Sequence, residues 1–219
     1  MLDGIELDTF WYRADGRCLF AHDLDGDTTT PVSAPAAVIA DYLATTDRPS
    51  WNGERFYLFL DLKAHVGASY DEAHTPEELV QHAECAFDAV DTIAAGARAG
   101  GHQLTVGLIS GQPRHLEVVR ASPRFQSTAE VELILIGDIF APYSALVPEF
   151  ADYRFPLDAV EYHPDFMTEV HRETYRSFDI DLVQWSFVST IEAFDAIEQW
   201  KPRYVVTNEA ALMRRWIER

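Results

Sequence analysis

Phe56-Tyr57-Leu58-Phe59-Leu60-Asp61-Leu62-Lys63, followed by Thr75-Pro76-Glu77-Glu78-Leu79, is the passage that decides the fold class. The first stretch reads as a strand, because its apolar and aromatic side chains alternate between two faces. The second opens a helix. Thr75 is a capping residue, Pro76 takes the first helical position, and Glu78 stands where a capping box needs its acid. Leu79, Val80, Ala83, Phe87, Val90, Ile93 and Ala94 continue the apolar face until Gly100-Gly101 stops it.

The same alternation recurs along the chain. Apolar runs at 4–11, 56–63, 104–110, 131–137, 159–163, 181–187 and 204–208 read as strands, and shorter helices are expected near 113–121, 166–176, 189–200 and 209–218. Strands alternating with helices imply parallel pairing with right-handed crossovers. The pattern suits a TIM-type α/β barrel, which takes eight strand–helix units. Only seven can be found here, so the barrel is expected to lack its first unit, with residues 1–219 forming a single domain. A doubly wound open sheet would produce similar spacing.

Composition narrows the class further. Hydrophobic residues make up 47% of the chain, with 13 Phe, 9 Tyr and 5 Trp, enough to fill a large core. No run approaches the roughly 18 apolar residues of a membrane span. The start, Met1-Leu2-Asp3-Gly4, lacks the basic and apolar regions of a secretion signal, which leads us to expect a cytoplasmic location unless an upstream segment has been removed. A net charge of −19 would repel a phosphate backbone, so nucleic acid is not an expected partner. Cys18 and Cys85 are expected as free buried thiols, with a disulfide as the alternative.

Against that background the charged residues inside the strands call for chemistry. Glu6 and Asp8 share one face of their strand, and Asp61 and Lys63 share one face of theirs. Lys63 is one of only two lysines in a chain that otherwise uses arginine. Three carboxylates near one lysine would carry surplus negative charge, which oxygen ligation of Mg²⁺ or Ca²⁺ would offset. His22, in the loop after the first carboxylate-bearing strand, is placed for acid–base work. His163 and His65 lie where they could reach the mouth of a barrel, whereas His82 and His171 read as surface or packing residues on helices.

These motifs carry a family resemblance. Gly4-Ile5-Glu6-Leu7-Asp8, Asp15-Gly16 and Ala21-His22-Asp23 resemble the opening of the glycerophosphodiester phosphodiesterase superfamily, and Phe59-Leu60-Asp61-Leu62-Lys63 is similar to its acidic-x-Lys strand. Asp rather than Glu at position 61 is closer to the sphingomyelinase D and phospholipase D branch. Val183-Gln184-Trp185-Ser186 and Val205-Val206-Thr207-Asn208 resemble the last two strands.

The resemblance implies that Glu6, Asp8 and Asp61 bind Mg²⁺, with Ca²⁺ as the alternative. Lys63 and His22 would be catalytic, and Trp185 and Asn208 would contact substrate. The implied reaction is hydrolysis of a glycerophosphodiester or phospholipid headgroup, or release of a cyclic phosphate. The family's pattern also has a histidine upstream of its Glu-x-Asp motif, for which this sequence has no counterpart. Two further readings therefore stand beside the enzyme. One is an impaired or truncated barrel that keeps metal and phosphate affinity, and the other is an aldolase-type barrel using Lys63 as a Schiff base. Open strand edges would favour self-association.

Overall fold

Period-two alternation makes strand β1 (Gly4–Tyr12), and a tight turn sends the chain back as β2 (Arg17–Phe20), antiparallel to it. Gly16 supplies the positive φ of 58° that this turn requires, and its N–H bonds Tyr12 O at 2.9 Å. The computed structural model describes residues 3–21, 30–51, 53, 55–63, 74–125, 130–136, 157–186, 191–209, 211, 212 and 215.

The chain divides into two compact units, Met1–Leu133 and Ile134–Arg219. In the first, β3 (Arg55–Leu62) runs parallel to β1, and β4 (Gln103–Ser110) runs parallel to β3. The strand order there is β2-β1-β3-β4. The pairing is therefore mixed, with the expected parallel strands flanked by one antiparallel strand.

Helix α2 (Pro76–Gly100) forms as its sequence dictates. Thr75 Oγ1 accepts from Glu78 N–H, Glu78 accepts from Thr75 N–H, and Gly101 ends the helix at a φ of 76°. Its inner face buries Leu79, Ala83, Phe87, Val90 and Ile93. Helix α3 (Pro113–Ala121) follows β4.

Helix α1 (Ser33–Thr45) is absent from the sequence expectation. Its side chains are mostly small, it carries no side-chain cap, and only Ala36, Ile39 and Leu43 are buried, so the amphipathic signal is faint. It packs closely on α2 at Gly96, where an added Cβ would lie 2.2 Å from Ala40 O.

The second unit begins within β5 (Glu130–Ile136) and pairs it in parallel with β6 (Ala159–Tyr162), β7 (Asp181–Ser186) and β8 (Tyr204–Thr207). Helix α4 (Glu169–Ser177) is capped by Thr168, whose side chain accepts from His171 N–H, and α5 (Ile191–Trp200) precedes β8. Tyr162 and Gln184 are both buried and hydrogen-bond at 2.9 Å, which satisfies two polar groups inside this core. Most of the helix expected at 209–218 lies outside the described residues.

Cys18 on β2 and Cys85 on α2 form a disulfide rather than the expected free thiols, with Cα atoms 6.3 Å apart. Local sequence offered no sign of it, because the two residues meet only when α2 docks beside the hairpin. The bond closes a loop spanning 67 residues. Reduction, or the Cys18→Ala/Cys85→Ala pair, is expected to lower unfolding free energy by about 2–4 kcal/mol. Urea unfolding with and without reductant measures this.

Candidate active site

Two adjacent parallel strands bring the sequence-predicted acids together. Asp8 lies directly across from Asp61 in the β1–β3 register, and Glu6 lies one pleat earlier on the same face. Leu7, Leu60 and Leu62 point the other way and are buried. One carboxylate oxygen from each of Glu6, Asp8 and Asp61 lies within 4.8 Å of the others. Lys63, just beyond the end of β3, reaches back so that Nζ stands 2.7 Å from Asp8 Oδ1 and 2.5 Å from Asp61 Oδ2.

Electrostatics follow from this crowding. Burial first, and then the neighbouring Asp61 and Asp8 charges, push the Glu6 carboxyl up to about 7, against a smaller opposing pull from Lys63. Burial alone would push the Lys63 ammonium down. Asp61 and Asp8 outweigh it and hold Lys63 above its usual value, firmly protonated. A Schiff-base lysine needs its amine freed at working pH, so this environment argues against the aldolase reading.

Three carboxylates against one ammonium leave the group with a surplus of negative charge. The all-oxygen donor set fits a hard divalent cation such as Mg²⁺ or Ca²⁺, with Asp61 4% exposed and Glu6 and Asp8 more open.

His22 and His65 lie outside the described residues. Trp185 and Asn208 belong to the second unit. There the β6–β7–β8 register places Glu161 opposite Val183 and Trp185 opposite Val206, so Glu161 and Trp185 fall on one face, with His163 and Asn208 just past the ends of β6 and β8. The His163 and Trp185 rings are 5.7 Å apart.

Glu161, 3% exposed, is a site candidate that the sequence reading missed. Glu161 and His163 repeat the i, i+2 spacing of polar residues in an apolar run that singled out Glu6 and Asp8. His82 and His171, expected as surface or packing residues, are both buried, which places them among the packing positions.

No protein-family model matches the chain, and no curated protein matches it by sequence. Solved structures do match by fold. A candidate glycerophosphodiester phosphodiesterase from Galdieria sulphuraria superposes with a TM-score of 0.64 at 12% identity, over 99% of this chain and 85% of that one. A phosphodiesterase from Oleispira antarctica, solved with its product sn-glycerol-3-phosphate, gives 0.63 at 12% identity over 99% and 85%. A calcium-dependent phosphoinositol-specific phospholipase C from a Pseudomonas species gives 0.51 at 13% identity over 93% and 79%. The chain thus has the α/β fold of these phosphodiesterases. Among the described residues no helix is long and apolar enough to cross a membrane.

Proposed function

We propose that this protein is a metal-dependent phosphodiesterase acting on a glycerophosphodiester or a phospholipid headgroup. The observation that carries the reading is the convergence of Glu6, Asp8 and Asp61 with Lys63 at one end of two parallel strands. The fold shared with phosphodiesterases supports it. Those enzymes' activities are their own; for this chain the activity is a proposal.

In this reading Glu6, Asp8 and Asp61 hold a divalent cation, Mg²⁺ or Ca²⁺. Once bound, the cation polarises the phosphate and offsets charge that develops on its oxygens. Lys63 remains charged and places its ammonium against a phosphate oxygen as a second positive point. Asp8 and Asp61 position that ammonium, each through one ion pair. A cation held there would compete with the proton that Glu6 holds below about pH 7, so affinity should rise with pH through neutrality. His22 acts as acid or base on the attacking or leaving oxygen, and Trp185 and Asn208 orient the substrate. We further propose that residues 1–219 form one barrel-type domain. The Cys18–Cys85 disulfide favours an oxidising compartment over the cytoplasm.

Hydrolysis of bis(p-nitrophenyl) phosphate and of glycerophosphocholine, with Mg²⁺, with Ca²⁺ and with EDTA, tests the proposal. Chelator-sensitive turnover is expected, and the better cation identifies the metal. No turnover, with either cation still raising the melting temperature, would replace the enzyme by a barrel that only binds metal.

A further inference from the structure

Two buried hydroxyls flank the backbone that joins Asp61 to Lys63. Thr9 pairs with Leu62 in the β1–β3 register, so its side chain lies on the sheet face opposite Glu6, Asp8 and Asp61. There Thr9 Oγ1 reaches Asp61 O at 3.3 Å, and Lys63 N–H donates to Thr9 O at 2.9 Å. On the other flank Ser110, the last residue of β4, reaches Leu62 O with Oγ at 3.1 Å. Thr9 and Ser110 are both buried, so water does not compete for these carbonyls.

A buried imidazole stands behind each hydroxyl. His82 Nε2, from the inner face of α2, is 3.1 Å from Thr9 Oγ1, and His115 Nδ1, from α3, is 3.4 Å from Ser110 Oγ. The two ring centres are 4.9 Å apart, and His74 packs against both at 5.6 and 5.4 Å. The second nitrogens, His82 Nδ1 and His115 Nε2, meet no hydrogen-bond partner among the described residues, so the hydrogen bonding of each ring is directed at its hydroxyl. Burial, helped by the neighbouring histidines, holds both rings below their usual range, which keeps them neutral at pH 7.

Bonds of this kind would stabilise any strand, and it is their place that gives them a further role. Asp61 O and Leu62 O belong to the two peptide groups that link Asp61 to Lys63. Rotation of either group would swing the Asp61 carboxylate away from the Lys63 ammonium, which it now meets at 2.5 Å. A site of close-set charges needs that geometry held by a supporting shell.

We infer that Thr9 and Ser110 are positioning residues, oriented in turn by His82 and His115, that fix the Asp61–Lys63 strand end for cation binding. The inference rests on the reading of Glu6, Asp8 and Asp61 as a cation site. All four residues act from the far side of the sheet, through the backbone of β3.

Calorimetric titration with Mg²⁺ and with Ca²⁺ tests it in Thr9→Val, which keeps the shape of the side chain and removes the hydroxyl. Affinity for the cation that wild type prefers should fall about tenfold, and Thr9→Ser should restore it to within about twofold. His82→Leu should give the same loss, and the double variant should lose no more than either single one, because both act on one bond. Long-range ¹⁵N NMR of the wild-type imidazoles needs no variant and covers the case in which Thr9→Val fails to fold. Hydroxyl protons placed on Asp61 O and Leu62 O require N–H at His82 Nε2 and at His115 Nδ1. Unchanged affinity in Thr9→Val, additive losses in the double variant, or a bare nitrogen at either of those two positions would overturn the inference. Wild type that binds a cation without cleaving a diester would remove the phosphodiesterase reading alone. Wild type that binds neither cation would remove the cation site and this inference together.

Discussion

Asp61→Asn is expected to lower the proposed cation-dependent diester turnover by about 10³-fold, the loss that follows when about 4 kcal/mol of transition-state charge stabilisation is removed. Asp61 is the most buried of the three acids and is the shared partner of Lys63 and the carboxylate cluster. The amide keeps the shape of the side chain but removes the charge that both the cation and the ammonium need. Lys63 keeps its 2.7 Å ion pair with Asp8, so the strand end should remain folded. The substitution also removes a repulsive charge beside Glu6, whose carboxyl should fall back from about 7 toward its usual range. Turnover at saturating Mg²⁺ or Ca²⁺ and ¹³C titration of Glu6 measure the two effects separately. If the variant turns over within tenfold of wild type, the diester is cleaved elsewhere.

Lys63→Met should cost less, because it removes a point charge and leaves the oxygen ligands in place. In Lys63→Met, Glu6 loses a stabilising cation, so its carboxyl should move up and not down. The opposite signs of the two Glu6 shifts distinguish an electrostatic cluster from two unrelated lesions.

The carboxylate site was legible because its geometry is local. Residues two apart on a strand share a face, so Glu6 with Asp8 and Asp61 with Lys63 could be grouped from their spacing alone. Parallel pairing of β1 with β3 then joined the two groups. The histidine cluster could not be found this way. His74, His82 and His115 belong to a loop, a long helix and a short helix, and only the docking of α2 and α3 behind the sheet brings their rings together.

The Cys18–Cys85 bond was hidden for the same reason. Helix α1 was missed on different grounds. Its burial is carried by Ala36, Ile39 and Leu43 alone, and its close approach to α2 depends on Gly96, so shape at one glycine replaced the broad apolar stripe that marks α2. Glu161 was overlooked because every residue of β6 is buried, and a strand buried on both faces does not show the alternation that makes a charged pair conspicuous.

In EDTA, the protein should lose stability steadily as pH falls below 6.5, and the two buried histidines drive the loss. Their folded-state values are depressed, His115 to about 3 and His82 well below 6.5. Above pH 6.5 neither state protonates them and they cost nothing. Below it the unfolded chain takes up protons that the folded chain refuses, which costs about 1.4 kcal/mol per pH unit for each imidazole. Glu6 works with the opposite sign. Its raised value, about 7 against 4.5, means the folded state holds a proton that the unfolded chain has released, so Glu6 adds stability as pH falls through that window. Between pH 6.5 and 4.5 these three groups together contribute a slope of about one proton. Below 4.5 the Glu6 term is spent. Glu78, held down to about 2 by its bidentate pair with Arg13, then acts in the same direction as the histidines, because the unfolded carboxyl protonates first. The slope should then steepen by about one proton from Glu78. Urea unfolding at intervals from pH 7.5 to 3.5 measures the curve, and His115→Gln should flatten it by one proton throughout. A wild-type curve level between pH 6.5 and 5 would mean that His82 and His115 take up protons in the folded state, against the depression that their burial imposes.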